Sequence, residues 1–440
     1  MSRRRSGGRV RRCRQLWSSA LAAGVLLALG ACAPRVVEPP VTPPAPGAPA
    51  LPRAEPEVRV GLLVDTASVE IAATGGFELV ATSDNRVLAR VPDGGRRTVT
   101  AGAAGMLQVT GAAAGAMAAV PGPLLVRPIG DGRLNVGGKP YRGSALVQTA
   151  GPGRVTAINL VSLEEYLLGV VPHEIGRVGE DLLEAAKAQA VAARTYAVAH
   201  RGRRSALGFD YYATVQDQVY GGSADEHGVT TRAVQETTGE ILTHQGTPIE
   251  AYYHSTCAGQ TAAIDEVWNE RPRPYLVSVV DVDPRTGQAY DHFSSRFRWT
   301  QRWSADSLAQ TFARTLADSL PRGAPPLTEV RDLRILERTP SDRVRRLRID
   351  TDAGMVHVGG DRVRWIFLTP EGRILNSSKF ELELVRDASG RVTEVTANGG
   401  GWGHGIGMCQ VGAMGRARAG QSYRTILLTY YPGTELRKLY

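Results

Sequence analysis

Nucleotide-binding glycines, a nucleophile elbow and a metalloprotease helix are all missing from this chain. The glycine-rich stretch "NGGGWGHGIGMCQVGAMG", residues 398–415, is not followed by Lys-Ser/Thr, so it does not cradle a phosphate as a P-loop does. No G-x-S-x-G, H-E-x-x-H or dinucleotide fingerprint is present, which removes the commonest serine hydrolases, zincins and dehydrogenases. No internal repeat stands out. Long apolar runs are scarce: the one from Leu16 to Leu29 is short for a membrane span. Cysteine is scarce too, with four in 440 residues.

What is there begins with seven arginines in the first fourteen residues, followed by that apolar run and then "LGAC", Leu29 to Cys32. The order is that of a secretory signal, and small residues before a Cys are what a lipoprotein signal peptidase reads. The expectation is removal of residues 1–31 and lipid on Cys32. The formal charge of +9 then shrinks, because seven of the 52 basic residues leave with a segment that holds no acids. With 45 basic and 43 acidic residues remaining, nucleic acid is not the expected partner. A neutral or weakly acidic polymer outside the cytoplasm fits better. Residues 32–57 are rich in Pro and Ala and suit an extended tether.

From 58 to 150 short alternating apolar runs, separated by "PDGG", "GDG" and "GPG", predict a β-rich N-terminal lobe. From 151 to 440 the pattern is mixed. Ser162 with Glu165 fits a capping box for a short helix that Pro172 interrupts. A long helix is expected from about Glu180 to His200, with an alanine-rich core stripe. Further helices are expected around "TTRAVQETTG", over 301–320 and in "SYRTILLTYYPGTEL", which runs into a loop. A strand-rich insertion falls at about 327–395. The fold class is α+β: a β-rich lobe and a mixed α/β catalytic core with a β-rich insertion.

Reactive side chains collect in three places. Glu174 follows the apolar run of "LEEYLLGVVPHEIG". Apolar neighbours raise a carboxyl pKa and make it a general acid, whereas a Glu at a helix N-terminus is held ionised by the dipole. Spacing alone fits both. Gln218, Tyr220, His254, Ser255 and Thr256 are neutral polar groups of the kind that line sugar sites. His254 and Cys257 make half of a zinc site, which His404 and Cys409 would complete; the other reading of the two cysteines is a disulfide. In the glycine-rich stretch, Trp402 offers a flat face to a sugar ring, His404 a donor or acceptor, and Gln410 an amide.

These same segments, "VSLEEYLLGVVPHEI", "EAAKAQAVAARTYA", "DQVYGG", "IEAYYHSTCAGQTA", "GWGHGIGMCQVGAMGRARAG" and "YRTILLTYYPGTEL", resemble the SpoIID/LytB domain family, in order and over about Val58 to Tyr440. The resemblance implies a peptidoglycan lytic transglycosylase. Such an enzyme cuts the MurNAc–GlcNAc bond of peptide-denuded glycan and leaves a 1,6-anhydro end. It implies Glu174, in "GVVPHE", as the catalytic acid. It suggests Arg194, Tyr196, Gln218, Tyr220, His254, Ser255, Trp402, His404 and Gln410 as strand-binding residues. LytB-type members imply another role, amidase enhancement or wall binding without catalysis. Ile175 stands where the family often has Met. Cys257 and Cys409 stand where it often has Ser, and a disulfide between them is expected, with zinc as the alternative cofactor and otherwise none. The expected location is the outer face of the cytoplasmic membrane or, by preference, an outer membrane reached through the lipid on Cys32. The expected partners are glycan strands, a cell-wall amidase and the membrane.

Overall fold

The computed structural model describes residues 54–111 and 119–440. The expected signal segment, Cys32 and most of the tether lie outside the described residues. The N-terminal lobe is two antiparallel-rich sheets sharing one core. One sheet has seven strands, and its centre is Arg154–Ser162, Ser144–Gly151 and Leu124–Pro128. The other has six, with Ser68–Ala73 paired to Arg96–Ala101. Alternation places Val69 and Ile71 of one sheet and Phe77, Leu79 and Val126 of the other in the shared interior. The lobe therefore runs on through Ser162, which also begins the next element.

That element is a helix, Leu163–Glu174. Ser162 caps it by accepting the Glu165 N–H at 3.4 Å. Pro172 was expected to interrupt the helix and instead lies within it. Its missing N–H removes one helical bond, and the helix closes beyond it because Ile175 N–H still reaches the Val171 carbonyl at 3.0 Å. A 3-10 turn, Glu180–Leu182, leads into the long helix Leu183–His200. Ala185, Ala186, Ala188, Ala190, Ala192, Ala193 and Ala197 are all buried. Small side chains let neighbours approach on several sides. The first helix, the helices Gly228–Glu236, Gln410–Arg418 and Tyr423–Tyr430, and the strand Glu240–His244 all pack on it. The C-terminal segment, expected to end as a loop, adds the strand Glu435–Lys438 to that last strand.

The inserted lobe has its own core. Two three-stranded sheets and the helix Ala305–Thr315 enclose Trp303, Leu308, Phe312, Leu347, Ile349, Phe367 and Val395. The helix expected over 301–320 is shorter because Trp299–Ser304 is a strand, paired with Val392–Gly399.

Candidate active site

Two segments far apart in sequence meet at the centre of the core. Tyr253–His254 pairs in parallel with Met408–Cys409. Thr256 and Trp402 exchange backbone hydrogen bonds at 3.0 and 2.8 Å. Four glycines of "GWGHGIG", Gly401, Gly403, Gly405 and Gly407, take positive φ. At Gly407 an added Cβ would lie 2.0 Å from the Tyr252 carbonyl oxygen, so this strip can lie against its neighbour only without a side chain.

Glu174 faces this junction. It is the last residue of the first helix, not a residue near a helix N-terminus, so the dipole there disfavours its anion. Its side chain is half-buried. Val219 N–H donates to Oε1 at 2.9 Å, and the Gln410 amide lies 3.5 Å from Oε2. The Tyr253 hydroxyl completes the set. Burial pushes the Glu174 carboxyl up to about 7, against the three hydrogen bonds that favour the ionised form. All three donors are neutral. Tyr253 is itself held: the Gln218 amide donates to its oxygen at 2.9 Å, and Tyr166 donates to Gln218 at 3.3 Å. That leaves the Tyr253 proton for Glu174.

The sequence-predicted residues divide. Gln410 touches Glu174, and Gln218 acts one bond further out through Tyr253. Trp402 is 44% exposed, with the Arg296 guanidinium over its ring at 4.8 Å, and it lies on the same strip as Gln410. Ser255 is half-buried beside it and its hydroxyl meets Thr256 at 3.3 Å. The others are not placed to bind a strand. Arg194 is wholly buried and forms a two-pronged ion pair with Glu164 at 2.7 Å, so it ties helix to helix. Tyr196 is buried against His200 and Tyr252, with its hydroxyl 3.5 Å from Asp217. Tyr220 packs between Tyr141 and Tyr166 and donates to Asn159 at 2.9 Å. Both ring nitrogens of His404 are in use, one on the Tyr253 carbonyl and one taking the Ile406 N–H, each at 3.0 Å. Burial pushes His404 down to about 4, so it is a neutral strut. His254 is buried, with Nδ1 3.2 Å from the Ile406 carbonyl.

The expected disulfide is not formed: Cys257 and Cys409 are both free and buried. The two thiols lie side by side and hydrogen-bond each other, and each has further partners. Cys257 Sγ lies 3.4 Å from Asp281 and from Asp291, while Cys409 Sγ caps a helix by accepting Gly412 N–H at 3.2 Å. His254, Cys257 and Cys409 bring ligand atoms within 4.8 Å of one another, and His254 Nε2 has no partner. The donor set thus fits zinc with three ligands; His404, engaged elsewhere, is not among them. Sequence reasoning missed Tyr253, Val219, Asp281 and Asp291. Asp291 takes the N–H groups of Ala258 and Gly259 at 2.6 and 3.1 Å, and Asp281 takes Arg416 at 2.9 Å and Tyr430 at 2.8 Å.

Comparison with known proteins follows this geometry. The family described as Stage II sporulation protein (SpoIID) matches residues 152–244, which hold Glu174 and its Val219 partner. The stage II sporulation protein D of Bacillus subtilis is 31% identical, over 64% of this chain and 76% of its own length. The chain belongs to the SpoIID family. The Bacillus amyloliquefaciens protein of the same name is 32% identical, covering 64% of this chain and 75% of that one. An amidase enhancer of Bacillus subtilis is 31% identical over 61% of this chain, which spans only 40% of that relative's length. A second family, a domain of unknown function (DUF8618), matches residues 285–407, the inserted lobe and the start of the glycine-rich strip. This SpoIID-family member is thus a cell-wall-related α+β protein.

Proposed function

We propose that this protein is a lytic transglycosylase of peptidoglycan, with Glu174 as both acid and base. The observation that carries the reading is the Glu174 carboxyl: half-buried, raised to about 7, and bonded to neutral donors alone. Such a group is protonated in a large fraction of molecules at neutral pH, as a general acid must be. It gives its proton to the GlcNAc oxygen as the bond to muramic acid C1 breaks. The C6 hydroxyl of the same muramic acid attacks C1 and closes the anhydro ring. Its proton passes to the Glu174 carboxylate, which restores the acid, and no water is consumed. The attack is intramolecular and gains from proximity. Tyr253 and Val219 N–H orient the carboxyl and stabilise its ionised form between the two proton transfers.

The same reading places the protein outside the cytoplasm, held by lipid on Cys32 behind a Pro-rich spacer, with an amidase upstream to clear stem peptides. Were zinc bound, His254, Cys257 and Cys409 would hold it and link two strips of the site, leaving a fourth coordination position to be filled. The test is a digest of amidase-treated peptidoglycan, wild type beside Glu174→Gln, with products read by mass spectrometry. Anhydro-muramyl ends from the wild type alone support the proposal. A second reading, an amidase enhancer, is favoured by the relative of that name. It gains if neither protein yields ends while an added amidase is accelerated by both.

A further inference from the structure

The inserted lobe carries a cavity of about 510 Å³ at its root, where its strands join the glycine-rich strip. Arg298, Trp299, Lys379, Glu381, Asn398 and Gly400 are among its walls. We propose that this cavity is a carboxylate subsite for the glycan strand, with Lys379 and Arg298 as its contacts. The proposal rests on the wall-polymer reading above and adds a specificity determinant to it.

The argument is one of charge accounting. The two acids on the cavity wall are already spoken for: Arg338 pairs with Glu381 at 2.7 Å and with Asp342 at 3.4 Å. The two cations are not. Among the described residues neither Lys379 nor Arg298 pairs with a carboxylate. Lys379 Nζ has the Ala258 carbonyl at 3.4 Å, and Arg298 reaches back to the Phe297 carbonyl at 2.8 Å. Behind them Arg343 is wholly buried, and none of its three side-chain nitrogens has a partner. Its guanidinium lies on Gly405, where an added Cβ would come 2.2 Å from a nitrogen. Burial and then the Arg343 charge both lower Lys379. A half-buried lysine beside a buried arginine, neither with an anion, is costly, and an anion entering the cavity would relieve Lys379 and meet the exposed Arg298.

The shape favours a carboxylate on a sugar. An arginine fork matches a carboxylate with two parallel bonds. The Trp299 ring forms a wall, and Gly399 leaves it room: a Cβ there would lie 2.3 Å from the ring. Trp299 Nε1–H donates to the Gly401 carbonyl at 3.0 Å. The cavity therefore sits on the strip that carries Trp402 and, further on, Gln410 against Glu174. A glycan strand stripped of peptides exposes a free lactyl carboxylate on each muramic acid. A peptide-bearing strand offers carboxylates on its peptides instead.

The experiment titrates the full chain carrying Glu174→Gln with three probes: amidase-treated glycan strands, the same strands with their carboxyls amidated, and peptide-bearing strands. Adding Lys379→Ala and Arg298→Ala is expected to weaken binding to the amidase-treated strands about tenfold. It is also expected to flatten the salt dependence and leave binding to amidated strands unchanged. Lys379→Arg should retain most of the affinity. A loss confined to peptide-bearing strands assigns the carboxylate to the stem peptide and keeps the subsite. Equal losses on charged and amidated strands, or no loss on any, overturn it. If the wild type makes no anhydro ends and the charge-dependent loss persists, the enzyme reading fails and the subsite stands. Anhydro ends with no such loss give the reverse.

Discussion

The two ends of the Leu163–Glu174 helix each carry a half-buried glutamate, and the two have opposite chemistry. At the start, burial would raise Glu164, but the Arg194 guanidinium, the Tyr440 hydroxyl and the Gly239 N–H outweigh it and hold the carboxyl below its ordinary range. At the end, Glu174 has hydrogen bonds and no cation, and burial wins. The helix dipole reinforces the difference, favouring the anion at the first end and the acid at the last. A buried carboxylate with an arginine is mortar. The same group with neutral donors is a proton reservoir. The difference lies in what stands beside each Glu, not in the Glu.

Breaking the reservoir should have the largest effect. Glu174→Gln is expected to lower the rate of anhydro-end formation by 10²–10⁴-fold, the order general acid–base catalysis supplies, while the protein still binds glycan. Breaking the mortar comes next. Arg194→Met leaves Glu164 buried without its charge partner, and a loss of about 3 kcal/mol is expected, read as a lower urea midpoint. Activity per folded molecule should hardly move, which separates this arginine from a substrate ligand.

Removing one donor sharpens the contrast. Tyr253→Phe takes a hydrogen bond from the ionised form of Glu174, so its pKa should rise further. The alkaline limb of the kcat/KM profile, expected near pH 7 in the wild type, should move up, with about a tenfold loss in rate at neutral pH. An unmoved limb would mean that Tyr253 serves only packing.

Stability against pH gives the smallest effect and the most direct comparison. Because Glu174 is raised, its contribution is fully present below about pH 4.5 and is lost as pH rises through about 7. Glu174→Gln should therefore gain melting temperature on the wild type above pH 7 and gain nothing near pH 4. Glu164 is lowered, so its contribution is present above its unfolded pKa and fades as pH falls through the folded value. Glu164→Gln should cost stability at pH 7, and the cost should shrink in acid.

Much of this was legible in the residues and some could not be. The long alanine helix and the β lobe follow from spacing and composition, whereas spacing left Glu174 open and only the family resemblance singled it out. The roles of Arg194 and Tyr220 did not follow, because a motif shows which residues cluster in sequence and not which way they point. Arg194 turns toward Glu164 and Tyr220 toward the tyrosine-rich core. Val219 contributes a backbone N–H, which has no signature in the side-chain pattern. Tyr253 neighbours Tyr252 in sequence, yet Tyr252 packs on Trp268 while Tyr253 reaches Glu174. Pro172 shows that a proline forfeits its own N–H bond without having to end the helix. The cysteines do meet, as the expected pairing required, but as two free buried thiols that hydrogen-bond each other.

The inserted lobe leaves and rejoins the core at neighbouring points, since Trp299 and Gly399 face each other as strand partners. To the host chain this excursion of about a hundred residues is no wider than a hairpin. Such a graft can be lengthened, exchanged or lost in descent without moving the acid it borders. The cutting edge and the fitting that selects the strand are then separately replaceable parts.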